Sequence, residues 1–203
     1  MSYDIVKLRV TSVSPILMHN PKLLMKAGGD TTLKRGSTNQ QIDPPDIEAR
    51  KGLYVLPDGQ LYIPADAFKE AAKLAARDID DPTVRGRRRS MQQRFSSSVF
   101  LSRERFPLFR PESNGDLGRP ICADVDEWEI YVKRVVLKGN GVLRGRAKID
   151  TWACDVEFEY DADTIDPNIV STIVDQAGRW PGVLDFRVGR GGPFGRFTAR
   201  LLD

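Results

Sequence analysis

Four glycines and two arginines fill Gly189-Arg-Gly-Gly-Pro-Phe-Gly-Arg196 near the C-terminus. Glycine lets a backbone come close to a ligand, so main-chain N–H groups and guanidiniums could grip one phosphate together. The candidate contacts in this loop are Arg187, Gly189, Arg190, Gly191, Gly192 and Arg196. Neither a Gly-Lys-Ser/Thr ending nor a helical pattern follows, which argues against a nucleotide P-loop and against a dinucleotide turn. Two further basic runs have the same sign. Eight arginines face one acid, Glu104, between Arg85 and Arg110, and six basic residues face none between Tyr131 and Ile149. With the C-terminal arginines these runs hold 18 of 31 basic residues and one of 28 acids, against a net charge of only +3 for the chain. A polyanion meeting those runs alone would see a strongly cationic protein. Arg85, Arg87, Arg88, Arg89 and Arg94 from the first run, and Lys138, Arg144, Arg146 and Lys148 from the second, complete the candidate phosphate-binding set.

Catalytic chemistry has fewer carriers. His19 is the only histidine, and with a nearby lysine or tyrosine it could activate a 2′-hydroxyl without a metal. Asp43, Asp46 and Glu48 lack nuclease spacing, and Asp161, Asp163 and Asp166 fit favourable charges at a helix N-terminus. Cys122 and Cys154 form no CxxC pair and have no histidine beside them, so no zinc site, other metal site, cofactor or disulfide framework is expected. The sequence favours a binder over an enzyme.

The elements that must position these residues read as a mixture of α and β in a single domain spanning residues 1–203. A first strand ends at Ser14-Pro15. A polar stretch from Asn20 to Arg50 has little periodicity and reads as a long, mobile loop. Pro57-Asp-Gly-Gln60 marks a hairpin turn, and a helix runs from Pro64 to about Arg77 with Phe68, Ala71, Ala72 and Ala75 on its apolar face. The arginine-rich segment of about 85–110 and an elongated excursion over about 138–148 read as basic insertions. Trp128–Leu137 and Cys154–Tyr160 are the strongest strand patterns and are expected to pair with each other. Asp166 is the expected N-cap of a second helix that starts at Pro167 and ends in a left-handed Gly178. Val183–Val188 and Phe194–Leu202 read as the last strands. Phe95, Phe100, Phe106, Phe109, Trp152 and Phe194 are possible base-stacking surfaces, most of them expected in the core. The first residues lack a signal-peptide pattern and no apolar run is long enough to span a membrane, so a soluble cytoplasmic protein is expected.

Strand, helix, strands, helix, strand is the order of a ferredoxin-like or RRM-like α+β fold, here an antiparallel sheet with two helices and inserted loops or hairpins. Val10-Thr-Ser-Val-Ser-Pro-Ile-Leu-Met-His19, Leu61-Tyr-Ile-Pro-Ala-Asp-Ala-Phe-Lys-Glu-Ala-Ala72 and the glycine loop together resemble the RAMP superfamily, the RRM-like proteins of CRISPR effector backbones. Ala65-Asp66 stands where that family has Gly-Ser. The Ser14–Pro21 step is also similar to short phage proteins of this build, which would place the protein in a prokaryotic cell and outside a CRISPR operon. The resemblance implies binding to single-stranded RNA or DNA by subunits repeating along the strand, or beside other effector subunits, and the acid-free clustering of cations adds the expectation of little sequence preference. It also implies backbone contacts from the glycine loop and a basic hairpin. Two alternatives stay open: an endoribonuclease using His19, and an interaction protein that mimics or caps a CRISPR backbone.

Overall fold

The structure is a computed structural model and describes residues 2–21, 43–84, 89–137 and 140–202. In chain order its elements are β1 (Tyr3–Ser12), β2 (Ile16–Met18), α1 (Pro45–Lys51), β3 (Tyr62–Pro64), α2 (Ala65–Ala75), α3 (Gln92–Ser98), β4 (Val99–Leu101), β5 (Arg105–Pro107), β6 (Phe109–Pro111), β7 (Leu117–Pro120), β8 (Glu129–Leu137), β9 (Asn140–Ile149), β10 (Ala153–Asp161), α4 (Pro167–Arg179) and β11 (Phe197–Leu201). This is a mixed α+β fold of open, antiparallel sheets with several helices.

Alternation decides the main sheet. Val6, Leu8 and Val10 of β1 and Cys154, Val156, Phe158 and Tyr160 of β10 are buried, while the residues between them point the other way. β1 and β10 therefore pair antiparallel at the centre, with β11 outside β1 and β4, β6 and β7 beyond β10. The buried face meets α2 and α4, whose Phe68, Ala72, Ile173, Val174 and Ala177 complete the core. Phe68 stands edge-on to both Phe106 and Phe197, with ring centroids 5.9 and 5.5 Å away. Asp166 caps α4 as the sequence predicts, its carboxylate accepting from the Asn168 N–H at 2.7 Å.

Several expectations are overturned. β8 pairs with β9, not with β10, and the hairpin lies in a second sheet of order β2-β9-β8 in which β8 is an edge. The basic stretch expected as an excursion is mostly the return strand of that hairpin. Residues 45–51, read as loop, form α1, with Pro45 in the first turn where its missing N–H costs nothing. Gly178 does not end α4, which continues to Arg179; a Cβ there would lie 2.0 Å from the Phe197 carbonyl oxygen, so the glycine serves close packing of helix on strand. Residues 183–188 are not a strand: Leu184 and Phe186 have positive φ and a 3-10 turn covers Val188–Arg190. Among the described residues no helix is long and apolar enough to cross a membrane.

Candidate nucleic-acid interface

The glycine loop leaves α4 at the end of the sheet where β1 stops. Gly195 N–H donates to the Pro15 carbonyl, Val13 and Ser14 N–H donate to that of Arg196, and the Ser14 hydroxyl accepts from Arg196 N–H. Gly191 has φ of 74° with open space around it, whereas a Cβ on Gly192 would sit 1.7 Å from the Phe186 oxygen. One glycine thus permits the turn and the other lets the loop close on itself. Arg190 and Arg196 are left exposed and have no carboxylate partner among the described residues.

The β8–β9 hairpin packs against this loop. Lys133 Nζ lies 3.4 Å from the Phe186 ring centroid and Tyr131 stands edge-on to Phe194 at 5.2 Å. Lys133 and Arg134 are exposed and pair with no carboxylate among the described residues. The hairpin therefore brings Lys133 to the loop that carries Arg190 and Arg196, while Arg134, the next residue along β8, projects from the hairpin's opposite, exposed face. Sequence reading named the two loop arginines; it missed Lys133 and Arg134 as site residues although both lie in the acid-free run.

The other hairpin cations are spent on the fold. Glu48 of α1 is buried and accepts from Arg146 at 2.8 Å, Arg144 at 3.2 Å and the Gly145 N–H at 3.0 Å. Arg146 also holds Asp185 at 2.8 Å, tying the hairpin to the loop, and Lys148 pairs with Asp150 and Glu129. Arg89 and Arg94 sit elsewhere. Arg94 pairs with Asp81 at 3.1 Å and donates to the Thr164 carbonyl, beyond the far end of β10. β1 separates that end from the glycine loop by roughly 30 Å at about 3.3 Å per residue. Arg85, Arg87, Arg88 and Lys138 lie outside the described residues.

The face of the main sheet turned away from the helices carries acids and bases in equal number, and its cations are already paired. Asp155, Glu157 and Glu159 project from β10, and Lys7, Arg9, Arg103 and Arg200 are ion-paired there to Asp155, Glu157 or Asp116. Of the six candidate stacking aromatics, Phe95, Phe106, Trp152 and Phe194 are buried. Phe100 is exposed, with Lys69 Nζ 5.3 Å from its centroid.

His19 follows β2 and lines a cleft of about 710 Å³ that also takes in Tyr54, Tyr62, Asp66, Arg105 and Arg187. Two of the segments compared with the RAMP superfamily line it, 14–21 through His19 and 61–72 through Asp66, and Arg187 comes from the residues just before the Gly189–Arg196 loop. The Tyr54 hydroxyl donates to the His19 carbonyl at 3.0 Å, and burial pushes that phenol up to about 12. Burial, then the Arg146 charge, holds His19 below the usual imidazole range, so it is neutral near pH 7; its Nδ1 is buried with no hydrogen-bond partner. Burial likewise lowers Arg187, which donates to the Leu184 carbonyl at 3.1 Å while its buried Nε meets no acceptor. Among the described residues no group of three or more His, Cys, Asp or Glu side chains could hold a metal ion. Cys122 and Cys154 are free thiols. Comparison with protein-family models finds no match, and comparison with curated proteins finds none.

Proposed function

We propose that this protein is a non-catalytic binder of single-stranded RNA or DNA, working in the cytoplasm of a prokaryotic cell and related to the RAMP proteins. The observation that carries the reading is the packing of the β8–β9 hairpin, with exposed Lys133 on its loop side and exposed Arg134 on its other face, against the loop that exposes Arg190 and Arg196, all four without a carboxylate partner among the described residues. Exposed, unpaired cations release counterions when they meet phosphates, and this term supplies most sequence-independent affinity. The strand order β11-β1-β10-β4, with α2 and α4 on one face, supports a ferredoxin-like or RRM-like core. On the outer face of the sheet, the surface that RRM domains use, the cations are engaged in ion pairs, which favours the hairpin and loop for phosphate contacts.

The test is a binding titration with single-stranded RNA, single-stranded DNA and duplex at two salt concentrations. The wild-type protein should bind single strands tightly at low salt, and Lys133→Glu/Arg134→Glu should lose at least roughly tenfold in affinity while staying folded. Absence of binding to every single strand at low salt refutes the reading and favours the mimic of a CRISPR backbone. His19 supports a second reading, because it lines the cleft as a neutral imidazole, the form that can accept a proton. Defined RNA cleavage products that disappear in His19→Ala, with binding retained, would establish the endoribonuclease.

A further inference from the structure

The cleft behind the glycine loop is large enough for a nucleotide, but its charge is wrong for a phosphate. Asp66, Glu70, Glu104 and Asp185 line it, against Arg105 and Arg187, and His19 adds no charge. With Asp185 paired to Arg146 and Glu70 to Lys73, a phosphate entering here would meet the unpaired Asp66 and Glu104 carboxylates as well as the two arginines, and so gains no net attraction. A base carries no net charge and presents donors and acceptors on its edges, so the cleft suits a base while the backbone passes over Arg190 and Arg196.

The hydrogen-bonding groups left open in the cleft select among bases. Arg187 is half-buried and has no carboxylate partner among the described residues; its Nε is buried and one Nη1 hydrogen goes to the Leu184 carbonyl, which leaves its other Nη hydrogens for a ligand. Asp66 and Glu104 make no side-chain hydrogen bond or ion pair among the described residues, so both carboxylates remain as acceptors. Tyr54 and Tyr62 stand edge-to-face at 5.6 Å, and Arg105 covers one face of Tyr62 at 5.4 Å, giving an aromatic wall capped by a guanidinium. A ligand for this set accepts along one edge and donates twice along the other. Guanine does so: O6 and N7 accept from an arginine, while N1–H and N2–H₂ donate to a carboxylate. Adenine and cytosine offer a single amino group and uracil a single imide N–H.

Building on the strand-binding reading above, we propose that the cleft takes up a guanine base of the bound strand. Arg187 donates to its O6/N7 edge, Asp66 or Glu104 accepts from its N1/N2 edge, and the tyrosine pair forms the wall. Phosphate contacts at the hairpin and loop carry affinity for any sequence, and the cleft reads one base.

Three labelled oligouridines, differing only in whether the central nucleotide is guanosine, inosine or uridine, test this by fluorescence anisotropy, with a matching deoxy series. Guanosine should bind roughly tenfold tighter than uridine, with inosine, which lacks the 2-amino group, in between. In Asp66→Asn/Glu104→Gln the guanosine-to-uridine ratio should collapse toward one. Because the ratio is taken within one protein preparation, a partly unfolded variant cannot mimic the loss. Equal affinities for the three oligonucleotides, with binding intact, overturn the guanine site and leave the strand-binding reading standing. No binding to any of them overturns both. Equal affinities together with an oligoarginine peptide that binds the wild type but not the double variant would assign the carboxylates to a cationic peptide instead.

Discussion

Glu48 is only 3% exposed, and its charge is tolerated because two guanidiniums and a main-chain N–H converge on it. Removing Arg144 and Arg146 together leaves a buried carboxylate with one donor. Arg144→Ala/Arg146→Ala should therefore lose about 3–5 kcal/mol in chemical denaturation. Arg190→Ala/Arg196→Ala should leave the denaturation midpoint nearly unchanged while weakening strand binding. A similar midpoint shift in both pairs would disprove the division between structural and functional arginines. Charge counting along the chain made all four look alike; what separates them is a glutamate about a hundred residues away in sequence. His19 yields a prediction of opposite character. Its native pKa lies below the unfolded value of 6.5, so the unfolded chain takes up this proton first and stability falls as pH drops from about 6.5 through the native value. Above that window His19 contributes no pH dependence. Thermal midpoints measured from about pH 7.5 to about pH 5 should fall less in His19→Gln than in the wild type, and identical profiles would contradict the burial of a neutral imidazole.

Local chemistry settled some elements before any packing was known. Asp166-Pro167 marked the start of α4, and the alternation of Val156, Phe158 and Tyr160 marked β10, because caps and period-2 burial are written in adjacent residues. Pairing was not legible in the same way. β8 and β10 are both strong strand patterns, but alternation does not say which strand lies beside which, and the Lys138-Gly-Asn-Gly turn signal was the local clue to the β8–β9 hairpin. The last segment misled for another reason: Val183–Val188 is rich in β-formers, yet contacts with α4 and β2 bend it into turns with positive φ at Leu184 and Phe186. The cleft was legible only in part. His19 stood out by type, whereas Tyr54, Tyr62, Asp66 and Glu104 join it only through folding. At this scale the sharpest test is Gly178→Ala, which drives a methyl into the Phe197 carbonyl of β11. The variant should lose about 1–3 kcal/mol, read as a lower thermal midpoint, although alanine is the better helix former. An unchanged or higher midpoint would mean that helix and strand do not meet so closely.

Among the described residues the basic segments are distributed rather than pooled. Arg94 lies beyond one end of the main sheet, the hairpin and loop at the other, and ion pairs cover the outer face between them. Salt dependence should reflect this. Four phosphate contacts predict a slope of log affinity against log salt of about −3 for a single strand, whereas all eighteen clustered cations would give about −13. A slope near the larger figure would mean that the strand also follows the cations assigned here to structure. The order β2-β9-β8 carries one more consequence, because β8 hydrogen-bonds on one side only and presents Ile130, Val132 and Val136 to solvent. An apolar open edge of this kind is a template for cross-β growth, and Lys133 and Arg134 stand on it as gatekeepers whose mutual repulsion keeps two such edges apart. Neutral replacements at these two positions should therefore raise turbidity and light scattering on storage even without nucleic acid, whereas the glutamate replacements should keep the protein dispersed.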